Sequence, residues 1–144
     1  MILVVNFNLV ENALLEKVST ELGFAERCQY IQEMVITPEE LGQQFEREGK
    51  ALPRVIIINL DSAEADWKTL LKNLKQDEVW RFIPVLGFGF LEDTAAVEEF
   101  YQLGGASCIH KPHGYEGLSD ITKAAMSYWL DVSFLPCDFM TDVA

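Results

Sequence analysis

One stretch of sequence decides the fold of this chain: Pro53-Arg54-Val55-Ile56-Ile57-Ile58-Asn59-Leu60-Asp61-Ser62. Its β-branched apolar run is typical of a strand that is covered on both faces in the middle of a parallel sheet. The run then ends in polar, turn-prone residues. Because ligand sites in open α/β sheets lie beyond the carboxyl ends of the strands, we predict that Asn59 and Asp61 stand at the floor of any site.

The composition is that of one acidic globular domain. The chain has 144 residues, enough for a single domain with its own core. Its net charge of -12 argues against nucleic acid and an anionic membrane as partners, since both are bound through clustered Lys and Arg. Neither a membrane-spanning apolar run nor a signal-peptide pattern is present. We therefore expect a cytoplasmic protein, with Cys28, Cys108 and Cys137 as reduced thiols.

Strand-like and helix-like segments alternate along the chain. The predicted strands are Ile2 to Val5, Arg27 to Glu33, the central run, Ile83 to Phe88 and Ala106 to Ile109. This alternation predicts an α/β protein with a doubly wound, five-stranded parallel sheet and helices on both faces. The loops that follow the strands then lie together at one edge of the sheet.

Capping signals predict where the helices begin and end. Asn8 and Glu11 form a capping box at the start of the first helix, and Gly23 is predicted to end it. Thr37 to Glu40 is a second capping box, which opens a helix to about Glu48, closed by Gly49. The predicted inward-facing residues are Val10, Leu14 and Val18, with Leu15 and Leu22 close to that face; Trp67, Leu70, Leu71 and Leu74; Ala96, Val97, Phe100, Tyr101 and Leu103; and Leu118, Ile121, Ala125, Tyr128 and Trp129.

In order and spacing, several stretches resemble the receiver domain of two-component response regulators. They are Ile2-Leu3-Val4-Val5-Asn6-Phe7-Asn8, the central strand, Ile83-Pro84-Val85-Leu86, Tyr101-Gln102-Leu103-Gly104-Gly105-Ala106 and Ile109-His110-Lys111-Pro112. The resemblance implies a CheY-like sheet with strand order 2-1-3-4-5, a receiver-like domain over residues 1–130 and a C-terminal tail over 131–144. The segment from Tyr128 to Pro136 is also similar to the end of small, single-domain receivers that partner bacterial phytochromes.

The resemblance also implies that the phosphorylation chemistry is degenerate. The phospho-accepting Asp position is held by Asn59, whose neutral amide is a poor nucleophile. Asn6 and Phe7 stand at the acidic pair, so a magnesium site would lack two carboxylates. Gly89 replaces the hydroxyl residue and Cys108 the aromatic reporter. Lys111 is retained with Pro112 behind it, and the resemblance implies a cis Lys111–Pro112 bond.

Two interpretations remain for each charged residue near this site. Lys111 either grips an anion or, as we favour, bonds Asn59 or a loop carbonyl and maintains the loop. Asp61 is either a displaced phosphate acceptor or, as we favour, a residue that stabilises the turn through its own backbone. We expect its position, two residues along, to be wrong for in-line attack beside Lys111. No cofactor or metal is predicted, because the spacing of Cys108, His110 and His113 matches no common zinc pattern.

The leading functional hypothesis is a stand-alone pseudo-receiver that signals by protein–protein interaction and is not an enzyme. The expected partners are a sensor kinase or another signalling protein, and a second copy bound through the fourth and fifth helices and the fifth strand. The candidate interface residues are Tyr101, Tyr115, Tyr128, Trp129 and Phe134, which could instead only fill the core. The alternatives are phosphorylation at Asp61 and a small flavodoxin-like ligand-binding protein.

Overall fold

The computed structural model describes residues 2–31, 33–45, 53–61, 66–90, 94–112 and 114–136. Within these residues one parallel sheet is formed by β1 (Ile2–Val5), β2 (Cys28–Tyr30), β3 (Val55–Asn59), β4 (Val85–Gly89) and β5 (Ser107–His110). The strand order is β2-β1-β3-β4-β5, which confirms the predicted doubly wound topology. β2 is shorter than predicted, and β4 begins after Pro84, which has no N–H to donate to a neighbouring strand.

Helices connect the strands on both faces of the sheet. They are α1 (Leu9–Leu22), α2 (Pro38–Gln44), α3 (Trp67–Gln76), α4 (Thr94–Gln102) and α5 (Tyr115–Met126), with single 3₁₀ turns at Ala25–Arg27 and Trp80–Phe82. None of the described helices is long and apolar enough to cross a membrane.

The predicted caps of α1 and α2 are present. Asn8 and Glu11 make the reciprocal capping box, and Gly23 ends α1 in the left-handed conformation at φ 85°. The Thr37 side chain accepts a hydrogen bond from the Glu40 N–H. The predicted end of α2 near Glu48 is wrong: the helix ends at Gln44, because Phe45 is extended and turns its ring into the core. Gly49 lies outside the described residues.

β3 is buried along its whole length and divides the core into two layers. Ile56 and Ile58 face the layer made with α2, α3 and α4, and Val55 and Ile57 face the layer made with α1 and α5. The two faces alternate because successive side chains of a strand point in opposite directions. The prediction that the central run forms the middle of the sheet is therefore confirmed.

The predicted inward stripe of α1 is wrong in part. Val10 and Leu14 are 79% and 40% exposed, whereas Leu15 and Val18 are buried. Apolar residues cover more than half of the circumference of this helix, so their spacing is compatible with two different buried faces. Packing against the sheet and α5 selects the face that contains Leu15.

The stripes of α4 and α5 also differ from the prediction. Phe100 is buried as expected, but Tyr101 beside it is 48% exposed. In α5 the buried residues are Leu118, Thr122 and Met126, one helical turn apart. The predicted Tyr128 is 51% exposed, because it lies off this line and in the π-helical turns Ser127–Val132 that continue the helix. Of the predicted residues, Ile121, Ala125 and Trp129 are half-buried.

The segment after α5 is hydrogen-bonded to the sheet at the end where β3 begins. Arg54, at the start of β3, donates to the carbonyl oxygens of Trp129 and Ser133 at 3.0–3.3 Å. Leu135 is buried. Helical turns run through Val132, so the extended part of the predicted tail begins at Ser133 rather than Asp131. The division into a domain and a tail stays a prediction.

Candidate functional site

The carboxyl edge of the sheet gathers three polar side chains around one buried ammonium. Lys111, which follows β5, is 8% exposed. Its Nζ lies 2.8 Å from Glu11 Oε2, 2.8 Å from Asn59 Oδ1 and 2.9 Å from Asp61 Oδ2. An ammonium has three N–H groups, so each can have one of these acceptors. We call Lys111, Glu11, Asn59 and Asp61 the lysine cluster. The expected Lys111–Asn59 bond is therefore present.

Asn59 joins three loops through its amide. Its Oδ1 accepts from Lys111 and, at 3.1 Å, from the Asp61 N–H, while its Nδ2 donates to the Asn6 carbonyl at 3.3 Å. The residue is 3% exposed. An amide can both donate and accept, which a carboxylate cannot do, so Asn59 serves here as a connector between loops.

Asp61 makes a contact outside its own turn that the sequence does not predict. Its own N–H closes the turn onto Asn59, but its carboxylate accepts from the Phe90 N–H after β4 at 3.0 and 3.1 Å. The favoured role of Asp61 in its own turn is therefore incomplete, because the carboxylate also binds the loop after β4. The Asp61–Lys111 ion pair measures 2.9 Å, and the unsuitability of Asp61 for in-line attack stays a prediction.

Glu11 is a member of the site that the sequence reasoning missed. It was interpreted only as the partner of Asn8 in a capping box, and its Oε1 does accept from the Asn8 N–H at 3.3 Å. Its Oε2 meanwhile binds Lys111. The capping box could have predicted that Glu11 belongs to the site, because the side chain of the third helical residue turns back over the loop after β1. That loop lies at the edge where Lys111 stands.

The residues at the acidic-pair positions have other roles. Asn6 has left-handed backbone at φ 66° and exchanges hydrogen bonds with the backbone N–H and C=O of Val35 at 3.0 and 3.1 Å. Phe7 is 4% exposed, and its ring centre lies 5.2 Å from Lys111 Nζ. Among the described residues no group of three His, Cys, Asp or Glu side chains could hold a metal ion. His113 lies outside them.

The remaining predicted positions lie near the ends of β4 and β5. Gly89 is buried at the end of β4, opposite His110. The Cys108 N–H donates to the Tyr101 hydroxyl at 2.9 Å, and burial raises the pKa of the Cys108 thiol to about 11. The Lys111–Pro112 bond is trans, so the predicted cis bond is wrong. Trans is the lower-energy isomer of an X–Pro bond.

The candidate interface residues fall into two groups. Tyr101, Tyr128 and Phe134 are 48%, 51% and 75% exposed. Tyr115 instead faces α1, where its hydroxyl donates to the Glu21 carboxylate, which raises the pKa of Tyr115 to about 12. Trp129 is half-buried and packs against the layer beneath α1 and α5.

Comparison with known proteins gives the class of this fold. No protein-family model matches the chain. A probable methanogenesis regulatory protein, FilR2 of Methanothrix harundinacea (strain 6Ac), is 25% identical over 130 residues, which cover 90% of this chain and 83% of that protein. The solved structure of a receiver domain from Rhodospirillum rubrum is 21% identical, with a TM-score of 0.71, and the match covers 94% of this chain and 96% of that chain.

Two further solved structures belong to regulators of light signalling. A response regulator in red light signaling of R. palustris is 18% identical with a TM-score of 0.75, and the phosphorylated cyanobacterial phytochrome response regulator RcpA is 22% identical with a TM-score of 0.73. Each match covers 94% of this chain and 96% of the other. The chain therefore has the CheY-like fold of response regulator receiver domains. Within that class it is similar in structure to these light-signalling regulators.

Proposed function

We propose that the chain is a cytoplasmic receiver-type signalling domain that works by binding other proteins and is not phosphorylated at Asn59. The observation that carries this proposal is the lysine cluster. The Lys111 ammonium is held at 2.8–2.9 Å by two carboxylates and one amide oxygen of the chain itself. A cation that is already neutralised has little attraction left for a phosphoryl group.

The electrostatics of the cluster support the same conclusion. A phosphoryl donor is an anion, and it would have to approach the carboxylates of Glu11 and Asp61, whose side chains are 29% and 32% exposed. It would also need donors, but the Phe90 N–H and the Lys111 ammonium both already bind Asp61. At Asn59 itself the neutral amide is too poor a nucleophile to accept a phosphoryl group.

Treatment with acetyl phosphate and Mg²⁺, followed by intact-mass measurement, tests the loss of phosphorylation. We expect no phosphoryl adduct on the native chain. The positive control combines Asn59→Asp, Phe7→Asp and Gly89→Thr, which should restore an adduct and an Mg²⁺-dependent change in Trp fluorescence. An adduct on native Asn59 would refute the proposal. A folded triple variant without any response would show that the site positions are assigned wrongly.

A second candidate keeps phosphotransfer, with Asp61 as the acceptor. The 2.9 Å separation of its carboxylate from Lys111 favours it, because a receiver's lysine neutralises the oxygens of the phosphoryl group. The same mass experiment separates the two candidates. An adduct that forms on the native chain and disappears in Asp61→Asn would establish this second function.

We also propose a second copy of the chain and a sensor kinase or another signalling protein as partners. Support for self-association comes from the exposed apolar side chains near the end of α5: Tyr128, Val132 and Phe134 are 51%, 69% and 75% exposed. An apolar group of this kind is unfavourable in water and is stabilised when another surface covers it. The light-signalling regulators named above make a photoreceptor kinase one candidate partner.

Light scattering of the purified chain tests the dimer. We expect twice the mass of one chain, and a shift toward the monomer in Phe134→Glu. Val10→Glu is the matched control, because Val10 is 79% exposed but lies on α1, outside the interface proposed for α4, α5 and β5. A monomeric native chain, or equal dissociation by both variants, would rule out this interface.

A further inference from the structure

A pocket of about 230 Å³ lies beside the lysine cluster, between α1, α5 and the end of β4. Glu11 and Lys111 line its polar end. Its other walls are mostly apolar, and include Phe7, Leu14, Leu15, Phe88, Phe90 and Leu118. Phe90 and Leu14 are 44% and 40% exposed, so the pocket is open to solvent between them. Pockets of this composition, with a few polar groups at one end, are typical of small-molecule sites.

The residues that remove the phosphorylation chemistry also build this pocket. Phe7 stands where the receiver pattern has an acid, and its buried ring is part of the pocket wall. Phe90, directly after Gly89, forms a second aromatic wall. The two ring centres lie 5.2 and 5.5 Å from Lys111 Nζ. An aqueous metal and phosphate site has thus been replaced by an apolar cavity with an ionic end.

The charges at the polar end determine which ligands fit. One ammonium faces two carboxylates, so the cluster carries one net negative charge. The three N–H groups of Lys111 are matched by three acceptors of the chain, which leaves none directed at a bound anion. The net charge of the whole chain is -12, which also disfavours anions. An organic cation is therefore complementary to this end of the pocket.

We propose that this pocket binds a small organic amine with an apolar body. The body lies against the aromatic and leucine walls, and the ammonium lies at the carboxylate of Glu11, which lines the polar end of the pocket. The size follows from the volume: a cavity of about 150 Å³ holds benzene, so this pocket holds about nine non-hydrogen atoms. Phenethylamine has this size and charge, and it serves as the probe.

Titration of the purified chain with phenethylamine, phenylethanol and phenylacetate, followed by amide NMR shifts, tests the proposal. We expect shifts at Leu14, Leu15 and Leu118, with the amine bound about fivefold more tightly than the alcohol, as one unit charge at short range in water gives. Phenylacetate should bind about fivefold more weakly than the alcohol. Binding is measured without any partner protein, so the result is independent of the signalling role proposed above.

Two variants and one control identify the pocket and its charge. Leu14→Trp should block the mouth and abolish binding of all three probes. Glu11→Gln keeps the capping box, since Gln also fits it. This variant should bind the amine and the alcohol about equally tightly, because the negative charge is removed. Glu16→Gln, on the exposed side of α1, should change nothing.

Three outcomes would overturn the proposal. The first is the absence of shifts at the pocket residues with all three probes. The second is shifts confined to another part of the chain. The third is phenylacetate binding as tightly as phenethylamine, which would make Lys111 an anion site.

Discussion

At the scale of single residues, the site depends on Lys111 being both buried and fully paired. A buried ammonium is costly unless hydrogen bonds and opposite charges compensate for lost water. Here Glu11 comes from α1, Asn59 from the end of β3 and Asp61 from the loop that follows β3, so the lysine also holds these segments together. The residue that a receiver uses for phosphoryl chemistry has a clear structural role in this chain.

Replacement of Lys111 with Met should destabilise the protein by about 2 kcal/mol, because two carboxylates lose their counter-ion while remaining partly exposed to water. Urea unfolding measures the change. Lys68→Met is the matched control: its 2.7 Å ion pair with Glu99 is half exposed, so we expect a loss of less than about 1 kcal/mol. Equal effects of both substitutions would mean that the lysine cluster does not stabilise the fold.

At the scale of elements, α4 can approach the sheet closely because of two glycines. Phe100 is fully buried, and a Cβ at Gly87 of β4 would come within 2.8 Å of its ring. A Cβ at Gly105, in the turn before β5, would overlap the same ring. Gly104 before it has φ 100°, which favours glycine and ends α4. The helix-to-strand turn is thus fitted around one aromatic side chain.

Gly105→Ala should therefore destabilise the protein by about 1–3 kcal/mol, since the added methyl group forces Phe100 out of its position. Gly42→Ala is the control with the opposite sign. Gly42 lies in α2 with no atom near its absent Cβ, so alanine should stabilise the helix by about 0.5–1 kcal/mol. Thermal unfolding of both variants checks the pair, and a Gly105→Ala protein as stable as the native one would contradict this packing.

At the scale of the whole molecule, Arg54 connects the middle of the sheet to the C-terminal segment. Its guanidinium donates to the carbonyl oxygens of Trp129 and Ser133, which are more than seventy positions away in sequence. The Ser133 N–H in turn donates to the Tyr128 carbonyl at 2.7 Å. These bonds hold the π-helical turns and the proposed interface residues against the domain.

Arg54→Ala should release this segment without unfolding the sheet. We expect the Ser133 amide to exchange its hydrogen about tenfold faster, as the loss of a charge-assisted hydrogen bond implies, while amides of β3 and β4 keep their protection. Arg81→Ala is the control, because Arg81 belongs to the 3₁₀ turn Trp80–Phe82 and its guanidinium lies 4.7 Å from the Phe82 ring. Unchanged exchange at Ser133 would show that Arg54 does not hold the segment.

The sequence predicted much of the architecture. Apolar runs that alternate with capped helices predicted five strands, because these signals are local and period-specific. The strand order was predicted from the resemblance to receiver domains, and the structure confirms it. The sequence also shows that Asn59 carries no carboxylate and that Phe7 has no oxygen ligand for magnesium, which no folding can change. The sequence predicted the buried faces of the helices less well, because Val10 and Leu15 lie on two faces of α1 that are equally apolar.

Only the tertiary structure decided how the remaining groups are used. Glu11 and Lys111 are a hundred positions apart, and no sequence pattern links them. Asp61 lies beside Lys111 because parallel strands bring their carboxyl ends to one edge, while the loop path sets the final distance. The trans bond before Pro112 and the pocket behind Phe7 likewise depend on packing between distant segments. Local propensities specify elements, and long-range contacts specify the site between them.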